Sequence, residues 1–137
     1  MSSLASVHVS RQLLDEIVDH AREEAPNECC GLVGGADGRA TRVYRARNEF
    51  ESPLRYNVHP QDLIRIVGEI DDHGEELAAI YHSHPRSEAY PSQTDVNLAA
   101  NWPDPLYLIC SLAGEKPVVR AFRIRDAEIE EVELDAR

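Results

Sequence analysis

Two histidines, a serine and an aspartate lie close together in the middle of the chain. One residue separates His82 from His84, seven separate His84 from Ser92, and two separate Ser92 from Asp95. The apolar run 77–80 is typical of a buried strand, predicted over residues 77–82, and alternation along a strand puts both imidazoles on one face. Two imidazoles and a carboxylate supply three ligands of a tetrahedral zinc ion. The fourth position is then left for water, as in a catalytic zinc site.

These residues also have purely structural interpretations. Ser92 and Asp95 stand at the start of a predicted helix, residues 92–100, where Ser-x-x-acidic is a capping-box pattern, although Glu or Gln is its usual last member. Two histidines on one face of a strand can simply line its polar end. Capping stays open for Ser92 and Asp95, and a polar strand end stays open for the two histidines. The combined spacing of all four residues favours a metal site.

A hydrolytic zinc site also needs a base that takes a proton from water. Glu28 opens the mostly apolar run 28–33. Apolar neighbours raise the pKa of a carboxyl group by desolvation, and a nearby metal charge partly counters that rise. Glu88 competes for the role, but it lies in a predicted loop, residues 85–91, which positions a base less rigidly. The structural alternative is that Glu28 ends a strand in solvent.

Two longer helices are predicted from apolar spacing. Ser10 is a good N-cap for residues 11–25, where apolar positions recur every three or four residues. Pro60 suits the first turn of a second helix, and Gly74 suits the position just past its end. The apolar face predicted for this second helix consists of Leu63, Ile64, Val67 and Ile70.

The remaining patterns predict strands. They are expected at residues 6–9, 28–33, 40–46, 55–58, 77–82, 106–112, 118–125 and 127–134. Residues 47–54 are polar, contain a proline and are predicted to be a loop. Because strands and helices are mixed and the last strands follow each other closely, the fold class expected is α/β, a mixed sheet flanked by helices.

Composition limits the classes of partner and location. The 137 residues suit one domain, residues 1–137, and the formal net charge of −11 makes nucleic acid a poor partner. The sequence has neither an apolar run long enough for a membrane span nor a secretory signal, so a cytoplasmic protein is expected. An odd count of three cysteines, two of them adjacent, indicates reduced thiols rather than a disulfide framework.

The joined motif resembles the signature of the JAMM (MPN-plus) metalloprotease family. Its parts are Glu28 before Cys29-Cys30-Gly31, then His82-Ser83-His84-Pro85, Ser92 and Asp95. The resemblance implies that His82, His84 and Asp95 bind zinc, that Glu28 is the general base, and that Ser92 steadies the tetrahedral intermediate. It also implies a three-layer α/β fold similar to that of cytidine deaminases. A deaminase itself is disfavoured, because the chain contains no P-C-x-x-C.

The same resemblance implies a class of substrate. Family members cleave the bond that follows the C-terminal glycine of ubiquitin-like proteins, and this chain looks most like the short prokaryotic members. Some of those release cysteine from a ubiquitin-like sulfur carrier protein, so a small partner with a Gly-Gly tail is expected. Three alternatives remain open: a general deconjugase acting on lysine-linked modifiers, a hydrolase of a small amide, and a non-catalytic binding or scaffold module.

Overall fold

The computed structural model describes residues 6–137, and this part of the chain forms seven strands and three helices. The strands are β1 (Ser6–His8), β2 (Cys30–Ala36), β3 (Arg39–Ala46), β4 (Glu76–His84), β5 (Leu106–Ser111), β6 (Val118–Arg125) and β7 (Glu128–Asp135). The helices are α1 (Arg11–Glu24), α2 (Pro60–Asp72) and α3 (Gln93–Ala99). None of these three helices combines the length and apolar content needed to cross a bilayer.

The strands form one mixed sheet in the order β1-β3-β2-β4-β5-β6-β7. The neighbours β4 and β5 run parallel, whereas β2 pairs antiparallel with both β3 and β4, and β5, β6 and β7 are antiparallel to one another in turn. Short β1 pairs with β3 and with β7 and so closes the sheet. The predicted mixed sheet flanked by helices is confirmed, and the likeness to cytidine deaminases stays a prediction.

Two apolar clusters hold the helices against the strands. In one cluster, Ile17 of α1 packs with Tyr81 and Leu108. In the other, Ile66 of α2 packs with Ile80. Because Ile80 and Tyr81 are consecutive residues of β4, alternation assigns them to opposite faces, and His82 and His84 share the parity of Ile80. Each fully buried Ile or Leu stabilises the fold by roughly 1.5–3 kcal/mol.

The face predicted for α2 is partly wrong. Ile66 and Ile70 are buried, whereas Ile64 is 76% exposed and Val67 is 37% exposed. The cause lies in the first turn, where the buried Asp62 carboxylate accepts hydrogen bonds from the Arg47 backbone and side chain. This contact turns residues 62, 66 and 70 inward together, as a period of about 3.6 requires.

Two strand predictions also differ from the structure. Residues 55–58 form only a single bridge, Asn48 to Val58. The Asn48 side chain satisfies the nearby backbone groups, donating to the Arg55 carbonyl and accepting from the Asn57 N–H. Strand β2 begins at Cys30, two residues later than predicted, and continues through Gly34 and Gly35 by register shifts of the kind that glycine permits.

Candidate metal centre

The end of β4 brings two imidazoles together. His82 and His84 are both buried, and their Nε2 atoms lie 3.2 Å apart. The Nδ1 atom of His84 lies 2.8 Å from the backbone carbonyl oxygen of Glu88, which can only accept a hydrogen bond. Nδ1 therefore carries the proton, and Nε2 is left with a lone pair directed at the cluster.

Helix α3 adds a carboxylate through its first turn. Asp95 is 2% exposed, and its Oδ2 atom lies 3.0 Å from Nε2 of His82 and 3.0 Å from Nε2 of His84. The same oxygen accepts from the Ser92 N–H at 2.9 Å, while the Ser92 hydroxyl accepts from the Asp95 N–H at 3.1 Å. The capping box is therefore present, and it fixes the carboxylate that faces the imidazoles.

Glu28, which lies far from the other three residues in the sequence, completes the cluster. It lies two residues before β2 and is 4% exposed, so the alternative that it ends a strand in solvent is wrong. Potential ligand atoms of Glu28, His82, His84 and Asp95 all lie within 4.8 Å of one another. The Oε1 atom of Glu28 is buried and has no hydrogen-bond partner among residues 6–137.

The electrostatics of the cluster separate its four groups. Burial lowers the pKa of His82, so its imidazole is held neutral. Burial alone would raise the pKa of Asp95, but the facing imidazoles and the Ser92 N–H hold it well below its usual range. Burial alone would lower the pKa of His84, as it does for His82. The hydrogen bonds of His84 to Asp95 and to the Glu88 carbonyl raise this pKa above its usual value instead.

Glu28 behaves differently from Asp95. Burial raises the pKa of Glu28 to about 8; His84 opposes this rise and the negative charge of Asp95 adds to it. In the absence of a cation, Glu28 therefore holds a proton at neutral pH. A divalent ion in the cluster would lower this pKa towards neutrality, where a general base works best.

The donor set fits a zinc ion. Ligand atoms around tetrahedral zinc, with bonds of about 2.0–2.1 Å, lie about 3.3 Å apart, which is close to the 3.0–3.2 Å separations seen here. The lone pair on Nε2 of His84 faces a carboxylate oxygen at 3.0 Å, and two acceptors at that distance need a proton or a cation between them. Imidazole and carboxylate are also ligands that zinc accepts.

Two further predicted residues take different places. Ser92 is exposed and touches the cluster through Asp95. Glu88 is also exposed, and its contact with the cluster is the backbone carbonyl that orients His84. The Glu88 carboxylate is not among the groups gathered here, so the geometry favours Glu28 over Glu88 as the base.

Two contacts were missed at the sequence level. The Tyr56 ring stacks on the His82 imidazole, with centroids 4.2 Å apart and planes 16° apart. Ser83, between the two histidines, accepts from the Cys29 N–H at 2.8 Å and so ties β4 to the residue after Glu28. No local pattern reports either contact, because each joins residues more than twenty positions apart.

A buried cluster of two imidazoles, an aspartate and a glutamate, built on a mixed α/β domain, has the ligand types and the spacing of a metal site. The model of the prokaryotic homologs of the JAB domain matches residues 10–125. The chain therefore belongs to the prokaryotic JAB-domain family.

Named relatives and a solved structure agree with this assignment. The chain is 34% identical over 126 residues to the CysO-cysteine peptidase of Mycobacterium tuberculosis, covering 90% of this chain and 86% of that protein. It is 37% identical over 123 residues to a probable TtuB-protein conjugate cleaving protease of Thermus thermophilus, covering 89% and 78%. The solution structure of a Desulfitobacterium hafniense protein superposes with a TM-score of 0.87 at 34% identity, covering 96% of this chain and 92% of that one.

Proposed function

We propose that the protein is a zinc-dependent peptidase that hydrolyses the amide bond after the C-terminal glycine of a small ubiquitin-like protein. Its specific reaction is the release of cysteine from a sulfur carrier protein. The observation that carries this proposal is the convergence of Glu28 with His82, His84 and Asp95 within 4.8 Å. The resemblance to a CysO-cysteine peptidase supports the choice of leaving group.

Three of these four residues hold the ion, and the fourth, Glu28, acts on the substrate together with Ser92. His82, His84 and Asp95 would hold the zinc ion, which when bound would acidify a water molecule and polarise the scissile carbonyl. Glu28 takes the proton from the attacking water and returns it to the leaving amine as the C–N bond breaks. The Ser92 hydroxyl donates a hydrogen bond to the oxyanion that develops on the carbonyl.

The surface beside Glu28 suits a peptide. A cavity of about 820 Å³ is lined by Glu28 and by polar side chains that include Arg45, Arg47, Asn48 and His59. A glycine tail brings its backbone close to such a wall, because glycine has no side chain to hold it away. This supports an extended Gly-Gly tail as the segment bound next to the base.

The cytoplasm is the proposed location. Cys29, Cys30 and Cys110 are all free and buried. Burial raises the pKa of Cys29 to about 12 and that of Cys110 to about 11, so these thiols are unreactive packing groups. Reduced, structural cysteines of this kind are typical of cytoplasmic proteins.

The second candidate function is the removal of ubiquitin-like modifiers from lysine side chains. The observation that favours it is the resemblance to the conjugate-cleaving protease of Thermus thermophilus. The same cluster would serve both reactions, since only the leaving amine differs. A non-catalytic scaffold module would gain nothing from a buried acid beside the cluster. The unpartnered Oε1 atom of Glu28 therefore argues against the scaffold alternative.

Two matched substrates separate these functions. Both use CysO, the ubiquitin-like protein after which the Mycobacterium tuberculosis relative is named. One substrate is CysO carrying cysteine on its C-terminal glycine, and the other is CysO joined through that glycine to the ε-amine of a lysine peptide. We expect zinc-loaded protein to show a kcat/KM at least about tenfold higher for the cysteine adduct, measured by mass spectrometry of released CysO. A preference for the lysine adduct would establish the second candidate. Cleavage of neither adduct would contradict both.

A further inference from the structure

The backbone of Glu28 is held by a loop rather than by the sheet. Strand β2 begins at Cys30, so the ladder of sheet hydrogen bonds does not include Glu28. Instead, the Glu28 N–H donates to the Ser52 carbonyl at 2.8 Å. The Glu28 carbonyl accepts from the Asn48 side-chain amide at 3.2 Å. Both backbone polar groups of the base are therefore bound by the segment 48–58.

Asn48 is also the centre of that segment. Its Nδ2 atom donates to the Arg55 carbonyl at 3.0 Å in addition to the Glu28 carbonyl. Its Oδ1 atom accepts from the N–H groups of Phe50 and Asn57, each at 3.1 Å. An asparagine side chain offers two donors and two acceptor lone pairs, and Asn48 uses all four.

The Glu28 side chain has no comparable support. Its Oε1 atom is buried without a hydrogen-bond partner in the described part of the chain. The direction of the carboxylate is therefore set by the backbone from which it projects, together with the packing around it. A shift of this backbone would displace the base from the ligand atoms of His82, His84 and Asp95, which lie within 4.8 Å of it.

We propose that Asn48 is a positioning residue for the general base: its side-chain amide clamps the Glu28 carbonyl and thereby aims the carboxylate at the reacting water. This inference rests on the proposed function, in which Glu28 transfers the proton. Asn48 acts through Glu28, and the hydrogen bonds of its side chain in the described part of the chain go to Glu28, Phe50, Arg55 and Asn57 rather than to the residues assigned to zinc. Its loss therefore affects proton transfer and leaves the metal in place.

Two variants test this role. Asn48→Ala removes the whole clamp, and Asn48→Asp keeps the size and the acceptor oxygen but removes both donors. We expect kcat on the cysteine adduct to fall about 10- to 100-fold, the loss typical of groups that orient catalytic residues. Zinc content stays at one ion per chain because the three zinc ligands are unchanged, and KM changes less than kcat, although Asn48 also lines the cavity beside Glu28.

A second readout does not depend on turnover. In metal-free protein, hydrogen exchange of the Glu28 amide, followed by NMR, is expected to speed up in both Asn48 variants, because its bond to Ser52 relies on the segment that Asn48 organises. Asn57→Ala is the matched control. Its side chain lies in the same segment but donates only to Glu49, so kcat and Glu28 exchange should both stay at wild-type values.

The outcomes separate the inference from the proposed function. Wild-type protein that cleaves neither adduct would overturn the proposed function, whatever the exchange data show. Wild-type cleavage with undiminished kcat in Asn48→Ala and Asn48→Asp would overturn the positioning role alone. A fall in kcat matched by an equal loss of zinc, or seen equally in Asn57→Ala, would also overturn it, because the segment would then act only on folding.

Discussion

The Oε1 atom of the Glu28 carboxyl group is buried without a hydrogen-bond partner among the described residues. An unpaired buried polar group of this kind costs about 1–3 kcal/mol, and an ionised one costs more. Burial accordingly raises the pKa of Glu28 to about 8. Asp95, buried to a similar degree, is compensated by two imidazoles and a backbone N–H and stays ionised. The contacts of the two acids thus differ in the way that the proposed function requires, with Asp95 ionised to hold a cation and Glu28 able to move a proton.

This difference predicts a divided effect of mutation. Glu28→Gln keeps the shape of the side chain but cannot accept the proton, so kcat should fall about 10²- to 10⁴-fold while zinc is retained. Glu88→Gln is the matched control, because the Glu88 carboxylate is exposed and its backbone carbonyl, which orients His84, is unchanged. Zinc analysis and initial rates measure both effects. Wild-type turnover in Glu28→Gln, or a large loss in Glu88→Gln, would assign the base to another residue.

At the scale of elements, sequence patterns predicted what depends on neighbours along the chain. The helix before Glu28, strand β4 with its two same-face imidazoles, and the Ser92 cap follow from periodicity and end signals. The prediction of the buried face of α2 was partly wrong, because the orientation of this helix also depends on the ion pair between Asp62 and Arg47.

The bracing of Glu28 by Asn48 and the stacking of Tyr56 on His82 were not predicted for a related reason. Both join residues that are distant in sequence, so they exist only once the chain has folded. Local periodicity carries no information about such contacts.

Strand β2 illustrates why one element needs a particular residue. A side chain at Gly31 would overlap with the buried ring of Tyr81 and with the carbonyl oxygen of Tyr44. Tyr81 is fully buried, and its hydroxyl group is hydrogen-bonded to Nδ1 of His20 at 2.6 Å, so its ring cannot easily move aside. The absence of a Cβ at Gly31 therefore lets the Tyr81 ring of β4 lie against the backbone of β2.

Gly31→Ala should for this reason lower the free energy of unfolding by about 1–3 kcal/mol or more, as overpacking of a rigid core does. Gly68→Ala is the contrasting change, because nothing lies within 4 Å of a Cβ placed there, on α2. It should stabilise the protein by about 0.5–1 kcal/mol, since alanine favours a helix over glycine. Urea unfolding of both variants measures the difference. Equal stabilities would mean that β2 relaxes away from Tyr81.

At the scale of the whole molecule, the protein carries 25 acidic residues against 14 Lys and Arg. Most of the acids are exposed, where water and salt screen them. The cluster of Glu28, His82, His84 and Asp95 is different, because all four groups are buried. A divalent cation bound there would pair with Asp95 and with the imidazole lone pairs, and it would bind the folded chain far better than the unfolded one. Under the proposed function, metal binding is therefore coupled to folding.

This coupling predicts that removing zinc destabilises the fold. A ligand present at about a thousand times its Kd stabilises the folded state by about 4 kcal/mol, which for a domain of this size raises Tm by roughly 15 °C. We expect one zinc per chain by metal analysis and a Tm that falls by this amount with a chelator.

His84→Ala should lose both the zinc and the chelator effect, because the ion keeps only two of its three ligands. His73→Ala, which removes an exposed histidine at the end of α2, should keep both. Wild-type protein that binds no zinc after reconstitution, or His84→Ala protein that still binds a full equivalent, would contradict the assignment of the ion to this cluster.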